Sequence, residues 1–240
     1  MEELFDLNWC VPERMPTLGA DEAHTWCTSL DQPLSVYFEL KTLLSSDEQV
    51  RVARFRNERA RKQFVLGRGL LRKLIAAYLE EHPSEIQLVY GSNGKPMLFP
   101  QGKERLWFNV SHSGELLLLG FCRTAQIGLD VEQVRAVPEA DAIAERFFTP
   151  AESAALRASD ASKREMFFKI WTRKEAVLKC LGSGFTDDAD IPFEGVICEL
   201  APAPGYIGAL AISTHRLKLK SWRWSPEVNS SRVAVTPRRL

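Results

Sequence analysis

The chain has 240 residues, enough for one large domain or two small ones with sizeable apolar cores. Lys+Arg and Asp+Glu both number 31, so the balanced charge gives no support to a general affinity for nucleic acid or for an anionic membrane. Hydrophobic residues make up 45% and charged residues 26%, as in ordinary globular proteins. No apolar run approaches the roughly 20 residues that span a bilayer. We therefore expect a globular protein that has no membrane segment.

The cysteines and the amino terminus bear on the compartment. Five cysteines are scattered along the chain without CxxC spacing, which argues against a zinc site and against a disulfide framework. The first residues, "MEELFDLNWC", are acidic and lack a signal-peptide pattern. These features predict reduced thiols and a cytoplasmic location.

In the first part of the chain, a short strand is predicted near "EAHTWCTSL". The segment "SSDEQVRVARF" has a helix-start signal, with Ser45 or Ser46 as the cap. The segment "RARKQFVLGRGLLRKLIAAYLEE" has a broad apolar helical face and predicts the longest helix. A strand and a Gly/Asn/Pro turn are predicted in "IQLVYGSNGKPML", and two strands joined at "SHSG" in "LWFNVSHSGELLLLGFC".

The second part has a similar order of elements. A strand is predicted in "AQIGLDVEQV", followed by short helices at 138–146 and 150–157 and by a long helix in "ASKREMFFKIWTRKEAVLKCLG". Short β-like runs follow: "GVICEL", "YIGALAIS", "LKLKSWRW" and "SRVAVTP". The order predicts an α+β fold of two similar halves, 1–124 and 125–240. Element order is the only sign of duplication, so an independent origin of the halves stays open.

The stretch "IGLDVE" carries two acids near the end of an apolar strand. Side chains alternate along a strand, so Asp130 and Glu132 share one face and the apolar residues Ile127, Leu129 and Val131 share the other. Two adjacent carboxylates repel each other unless a positive group lies between them. The stretch is either a solvated strand end or one side of a metal site.

A third acid lies in the second long helix. In "WTRKEAVLK", Glu175 and Lys179 are four residues apart and share a helix face, with Lys174 adjacent. An exposed i,i+4 ion pair is the simpler interpretation. The apolar character of the other helix positions argues for a buried site instead.

Two further segments could bind anions. Lys95, in the "GKP" turn, is placed to meet a phosphate, and "NVSHSG" offers hydroxyls, backbone N–H groups and the imidazole of His112. A solvated lysine and a serine-rich turn with an exposed histidine are the alternatives. Ser111 and His112 do not form a nucleophile–base pair, because neighbours on a strand point in opposite directions.

Taken together, these segments predict one kind of site. Three carboxylates suit Mg²⁺, which prefers oxygen ligands and commonly binds substrate phosphates as well. Nearby lysines and a histidine would hold the remaining phosphates. Such a site is suited to chemistry at a pyrophosphate, with a carboxylate accepting a proton.

The motifs resemble those of a known family. "IGLDVE", followed by "FFKIWTRKEAVLK", resembles the signature pair (V/I)G(I/L/V)D(I/V)E and (F/W)xxKE(A/S)xxK of the 4′-phosphopantetheinyl transferases. "GKP" with "FNVSHSG" resembles the upstream motif, and "RFFTPAE" resembles the segment between the pair. Length and layout are similar to the monomeric, surfactin-type branch. This resemblance implies two α+β halves related by a pseudo-twofold axis, with the active site between them.

The resemblance also implies the reaction. The serine hydroxyl of an apo acyl or peptidyl carrier protein attacks the β-phosphate of coenzyme A, and adenosine 3′,5′-bisphosphate leaves. The implied pathways are fatty acid, polyketide or non-ribosomal peptide biosynthesis, with no nucleic acid or membrane as partner. Another Mg²⁺-dependent phosphate-ester enzyme, such as a pyrophosphatase or nuclease, and a catalytically degenerate carrier-binding module are the alternatives.

Residue roles follow from the resemblance position by position. It implies that Asp130, Glu132 and Glu175 bind Mg²⁺, and that the catalytic residues are Glu175 as base, Lys179 and Asp130. Lys174 and Lys179 would contact the α-phosphate and the pantetheine side. The implied nucleotide-binding residues are Lys95, Pro96, Ser111 and His112, with Arg61 and Lys62 as the nearest candidates from the first long helix.

The expected carrier-docking surface is an apolar patch flanked by basic residues, because carrier proteins are acidic around their serine. The resemblance places it at about residues 138–160, where Phe147, Phe148 and Arg146 are candidates. Both phenylalanines have an alternative place in the core.

Overall fold

Two long helices and three β-sheets organise the part of the chain that the structure describes. The structure is a computed structural model that describes residues 5–91, 93–99, 106–159, 162–184 and 190–229. The elements of the first part are β1 (Phe5–Cys10), β2 (Glu22–Ser29), α1 (Leu34–Thr42), α2 (Ser46–Arg54), α3 (Glu58–Leu79), β3 (Leu88–Tyr90), β4 (Pro96–Leu98), β5 (Trp107–Ser113) and β6 (Leu116–Cys122). Those of the second part are β7 (Ile127–Gln133), α4 (Ala140–Phe147), α5 (Pro150–Ala158), α6 (Lys163–Leu181), β8 (Val196–Leu200), β9 (Tyr206–Ile212) and β10 (Lys218–Arg223).

The main sheet draws strands from both parts of the chain. Its order is β1-β10-β2-β6-β5, with β10 parallel to both β1 and β2. A second sheet has the order β7-β9-β8 and is antiparallel, and β3 pairs with β4. The expected division into 1–124 and 125–240 therefore leaves β10 hydrogen-bonded within the sheet of the other half. Local sequence patterns do not encode this pairing, because it joins strands from opposite ends of the chain.

The first long helix packs on the main sheet, as its apolar periodicity predicts. Leu66, Leu70 and Leu74 lie in one buried cluster with Trp26 and Phe121 of the sheet. The Asn57 side chain caps the helix by accepting a hydrogen bond from the Ala60 N–H at 2.9 Å. The α-helical segments predicted at 45–55, 138–146 and 150–157 are also present as α2, α4 and α5.

The second sheet lies between α6 and the main sheet. Ile127, Leu129 and Val131 are at most 1% exposed and pack with Leu118 of β6, so the predicted alternation along β7 is confirmed. The opposite face of β7 packs on α6. Asp130 and Glu132 therefore face the second long helix and not open solvent.

Two predictions of the strands need comment. "SHS" is part of β5, and the turn to β6 falls at Gly114–Glu115, so the predicted "SHSG" turn begins too early. The glycine has a positive φ of 57°, which favours it at that turn. The predicted run "SRVAVTP" lies outside the described residues. Among the helices that the structure describes, none is long and apolar enough to cross a membrane.

Candidate active site

A glycine sets the distance between β7 and α6. A Cβ on Gly128 would lie 2.1 Å from both Ala176 O and Cys180 N, so only a residue without a side chain permits this approach. Because of the period-two alternation, Gly128 is on the same face of β7 as Asp130 and Glu132. The close approach therefore brings the polar face of α6 against both carboxylates.

Asp130 is the most buried acid of the site. Its side chain accepts hydrogen bonds at Oδ1 from Ser111 Oγ at 2.8 Å and from Lys179 Nζ at 2.6 Å. The residue is only 3% exposed, and its second oxygen, Oδ2, is buried without a hydrogen-bond partner. A buried carboxylate oxygen without a donor is costly, so it marks a position where a positively charged group would be favourable.

Glu132 lies two residues further along β7 and is half-buried. Its Oε2 accepts a hydrogen bond from Ser113 Oγ at 2.6 Å. Burial raises the pKa of Glu132, and the neighbouring Asp130 adds to this, whereas the bond from Ser113 acts in the opposite direction. The two carboxylates thus lie close enough to repel each other.

Glu175 brings a third carboxylate from α6. Burial raises its pKa to about 7; the ammonium of Lys179, 3.9 Å away, opposes this rise, and the charges of Asp130 and Glu132 add to it. The three acids are therefore near enough for their charges to influence one another. A carboxyl group with a pKa near 7 is suited to exchanging a proton at neutral pH.

Strand β5 of the first part supplies the other wall. Asn109 Oδ1 accepts a hydrogen bond from the Leu129 N–H at 2.9 Å, and Ser111 and Ser113 donate to the two acids of β7. These contacts of Asn109 and Ser113 with β7 are not predicted from the sequence. The signal that could have found them is the period-two spacing of polar residues in "NVSHS", which puts all three on one face.

The predicted nucleotide-binding residues of the "GKP" turn, Lys95 and Pro96, lie near the start of β7 and the end of α6. The ammonium of Lys95 donates to Ile127 O at 3.2 Å and to Lys179 O, and burial lowers its pKa. Lys95 and Pro96 line a small open cavity of about 90 Å³ together with Cys180 at the end of α6. In this structure Lys95 therefore links the carbonyls of β7 and α6.

The remaining predicted nucleotide-side residues lie around the β5–β6 turn. His112 is on the opposite face of β5 from the two serines, and part of its side chain is exposed. Partial burial of the imidazole lowers its pKa, and the positive charge of Lys179 lowers it further. Gln63 of α3 donates to Gly114 O at 3.1 Å, which puts the start of α3 beside the turn. Lys62 forms an ion pair of 3.4 Å with Asp31, and the neighbouring Arg61 is half-exposed.

Lys174, the other predicted lysine of α6, forms an ion pair with a glutamate of α5. Its ammonium lies 2.9 Å from Glu152, whose carboxylate also closes the capping box at the start of α5. Lys174 therefore joins α6 to α5. Glu152, in the "RFFTPAE" segment, was not singled out in the sequence as its partner.

The candidate carrier patch is only partly exposed. Phe148 is 4% exposed and packs against Phe167 in a buried cluster, so the core interpretation holds for this residue. Phe147 is half-buried, and the guanidinium of Arg146 lies 4.9 Å from its ring centroid. A docking surface here would therefore use Arg146 and the edge of Phe147.

The chemistry of the site fits a hard divalent cation. The charges of Asp130 and Glu132 act on the carboxyl group of Glu175, and Asp130 Oδ2 is buried without a hydrogen-bond partner. Within the described ranges, no group of three or more His, Cys, Asp or Glu side chains is assembled closely enough to hold a metal as it stands. In this structure the ammonium of Lys179 is the positive group that contacts Asp130, at 2.6 Å.

The fold and the site together define an α+β protein with a carboxylate–lysine cluster where β5, β7 and α6 meet. Residues 126–236 match the model of the 4′-phosphopantetheinyl transferase superfamily, and residues 26–122 match that of the 4′-phosphopantetheinyl transferase N-terminal region. The chain is 37% identical over 224 residues to the 4′-phosphopantetheinyl transferase HetI of Nostoc sp.. The aligned stretch covers 87% of this chain and 94% of HetI.

Two further relatives match over shorter stretches. The 4′-phosphopantetheinyl transferase AcpT of Escherichia coli is 34% identical over 123 residues, which is 51% of this chain and 58% of AcpT. The 4′-phosphopantetheinyl transferase psf-1 of Bacillus pumilus is 32% identical over 149 residues, 62% of each chain. The chain therefore belongs to the 4′-phosphopantetheinyl transferase family, whose members use coenzyme A and act on carrier proteins. It is a transferase, as its motifs predict.

Proposed function

We propose that this chain transfers the 4′-phosphopantetheine arm of coenzyme A at the cluster formed by Asp130, Glu132 and Glu175, with Mg²⁺ as its metal. The observation that carries the proposal is the buried Oδ2 of Asp130, which has no hydrogen-bond partner and belongs to a carboxylate whose charge acts on both Glu132 and Glu175. When bound, Mg²⁺ would neutralise the charge of the pyrophosphate and polarise its oxygens. Asp130, Glu132 and Glu175 would be its ligands from the protein.

In this proposal, Lys179 changes partner when substrate binds. Its ammonium lies 2.6 Å from Asp130 in the structure, and the Lys179 side chain is 30% exposed. A flexible lysine at the rim of a site readily turns to a phosphate oxygen, which it binds as a point charge. Lys179 would then contact the α-phosphate, with Lys174 beside it after release from Glu152.

Glu175 would act as the general base. The hydroxyl of the carrier serine gives its proton to Glu175, directly or through one water, as its oxygen forms a bond to the β-phosphorus. The bond from that phosphorus to the bridging oxygen breaks, and adenosine 3′,5′-bisphosphate leaves with the electron pair. A pKa of about 7 makes Glu175 a stronger base than an ordinary glutamate.

The nucleotide would lie between the "GKP" turn and the start of α3. Lys95 and Pro96 line the small cavity at the end of α6, and Ser111 and His112 belong to β5. The turn after β5 lies beside the start of α3, which carries Arg61 and Lys62. Positive side chains on both sides suit the 3′-phosphate. Two halves, 1–124 and 125–240, with the site between them remain part of the proposal. So do a monomeric state, a cytoplasmic location and the absence of a nucleic-acid partner.

Mass spectrometry of an apo carrier tests the proposal. Incubation with Mg²⁺ and coenzyme A should add one phosphopantetheine arm to the serine of acyl or peptidyl carriers in a panel, and adenosine 3′,5′-bisphosphate should appear in equal amount. The Asp130→Asn variant should lose this activity, whereas Asp21→Asn, at an exposed carboxylate, should keep it. Coenzyme A cleavage without a carrier would favour a pyrophosphatase, and carrier binding without any mass gain would favour a degenerate module.

A further inference from the structure

The hydroxyl of Ser113 has only one way to share its proton. Its Oγ accepts a hydrogen bond from the Gln133 N–H at 3.1 Å and lies 2.6 Å from Glu132 Oε2. A serine hydroxyl has a single proton, and an ionised carboxylate only accepts. The O–H of Ser113 must therefore be donated to Oε2, which fixes one oxygen of Glu132 and leaves Oε1 as the oxygen available to another ligand.

Ser113 is held in place by its own strand, independently of Glu132. Ser113 is the last residue of β5 and pairs with Leu116 of β6, whereas Glu132 is near the end of β7 in another sheet. Asn109 also joins β5 to β7, because its Oδ1 accepts a hydrogen bond from the Leu129 N–H. The hydroxyl therefore reaches the carboxylate from a strand that is anchored independently of it.

We propose that Ser113 is a positioning residue for Glu132: it holds Oε2 of the carboxylate, which would leave Oε1 to bind the metal that Asp130 and Glu175 would also hold. This inference rests on the proposed function, because it takes Glu132 as a metal ligand. A glutamate has three side-chain torsions, and a ligand that must be ordered on binding loses conformational entropy. A hydrogen bond that holds Glu132 in the binding rotamer beforehand removes that loss. Removing the hydrogen bond should therefore weaken metal binding.

The best substitution pair is Ser113→Thr and Ser113→Val. The two side chains have the same shape and suit a strand, but only threonine keeps the hydroxyl. Ser213→Ala is the matched control, because Ser213 Oγ accepts a hydrogen bond from the Gln126 N–H at 3.1 Å, just before the start of β7, without contacting an acid of the site. Thermal unfolding shows whether each variant is folded, and Ser113→Ala replaces the valine variant if that one is not.

The experiment measures the dissociation constant of Mn²⁺ by electron paramagnetic resonance, with coenzyme A at saturation and no carrier. Ser113→Val should weaken Mn²⁺ binding about 10-fold, whereas Ser113→Thr and Ser213→Ala should bind like the unmodified protein. The double variant with Glu132→Gln should be no weaker than Glu132→Gln alone, because Ser113 acts through that carboxylate.

Three results would overturn the inference: unchanged affinity in Ser113→Val, equal weakening in the threonine and valine variants, or a full additional effect on top of Glu132→Gln. Failure of the proposed function gives a different result. In that case the unmodified protein does not bind Mn²⁺ with coenzyme A, or Glu132→Gln binds as tightly as the unmodified protein.

Discussion

The ammonium of Lys179 lies 2.6 Å from Asp130 Oδ1 and 3.9 Å from Glu175 Oε2, so one positive charge faces two of the acids of the site. Asp130 is 5% exposed at the side chain and Lys179 is 30% exposed. The aspartate is therefore the buried partner and the lysine the more exposed one. The lysine offsets the charge of an acid that solvent hardly reaches.

The first prediction concerns this ion pair. Lys179→Met should lower the free energy of unfolding by about 1–3 kcal/mol, because it leaves a buried carboxylate without its charged donor. Urea denaturation in the presence of a chelator measures the effect. Mg²⁺ with coenzyme A should restore part of the loss, since a ligand that binds only the folded state stabilises it.

Lys163→Met is the matched control for Lys179→Met. Lys163 also forms an ion pair, 2.7 Å from Asp141, but both side chains are well exposed. Its replacement should change stability by less than about 1 kcal/mol. Equal effects of the two substitutions would contradict the interpretation of Lys179 as the counter-charge of a buried acid.

The second prediction concerns the contact between β7 and α6. Gly128→Ala should destabilise the protein by about 3 kcal/mol or more and abolish transfer, because the added Cβ meets backbone atoms of α6 that cannot move aside. Chemical denaturation and the carrier mass assay measure the two effects. A stable and active Gly128→Ala variant would show that the two elements do not pack as described.

Gly67→Ala provides the comparison for Gly128→Ala. A Cβ at Gly67 would meet only Leu117 Cδ1, at 3.6 Å, an ordinary contact. Alanine is also the better helix former, by about 1 kcal/mol, in the interior of α3. This variant should therefore be at least as stable as the unmodified protein.

The third prediction concerns pH and a histidine far from the acids of the site. His24 is fully buried, and its Nδ1 is hydrogen-bonded to the Tyr78 hydroxyl at 2.8 Å, which also accepts a hydrogen bond from Trp26 Nε1. Burial lowers the pKa of His24 to about 4, against the opposing charge of Glu22, while Lys220 lowers it further. Folding therefore requires the neutral imidazole.

Between the folded pKa of about 4 and the ordinary value of 6.5, the unfolded chain binds more protons at His24 than the folded one. Stability due to this residue is therefore complete above pH 6.5 and falls as the pH drops to 4, by up to about 3 kcal/mol. His24→Asn should remove this part of the pH dependence of urea denaturation. The exposed His215→Asn should not, and an unchanged slope in His24→Asn would refute the assignment.

Much of the site was predictable because its geometry is local. Period-two alternation placed Asp130 and Glu132 on one face of β7, and the i,i+4 spacing placed Glu175 and Lys179 on one face of α6. Each rule needs only the element type, which the apolar pattern supplied. The α+β class followed from the order of those elements.

What could not be predicted depends on contacts between distant segments. The insertion of β10 between β1 and β2 joins the two ends of the chain. The pairing of Lys174 with Glu152 depends on how α5 packs on α6, and the role of Ser113 depends on which strand faces β7. Helical or strand periodicity within one segment carries no information about its partner.

The central claim is that Asp130, Glu132 and Glu175 hold one metal ion on the pyrophosphate of coenzyme A. Phosphorus NMR of the bound coenzyme tests it most directly, with Mn²⁺ as a paramagnetic probe. In the unmodified protein, Mn²⁺ should broaden both pyrophosphate resonances much more than that of the 3′-phosphate, and Asp130→Asn should abolish this selectivity. Equal broadening of all three resonances, or the same selective broadening in Asp130→Asn, would contradict the account.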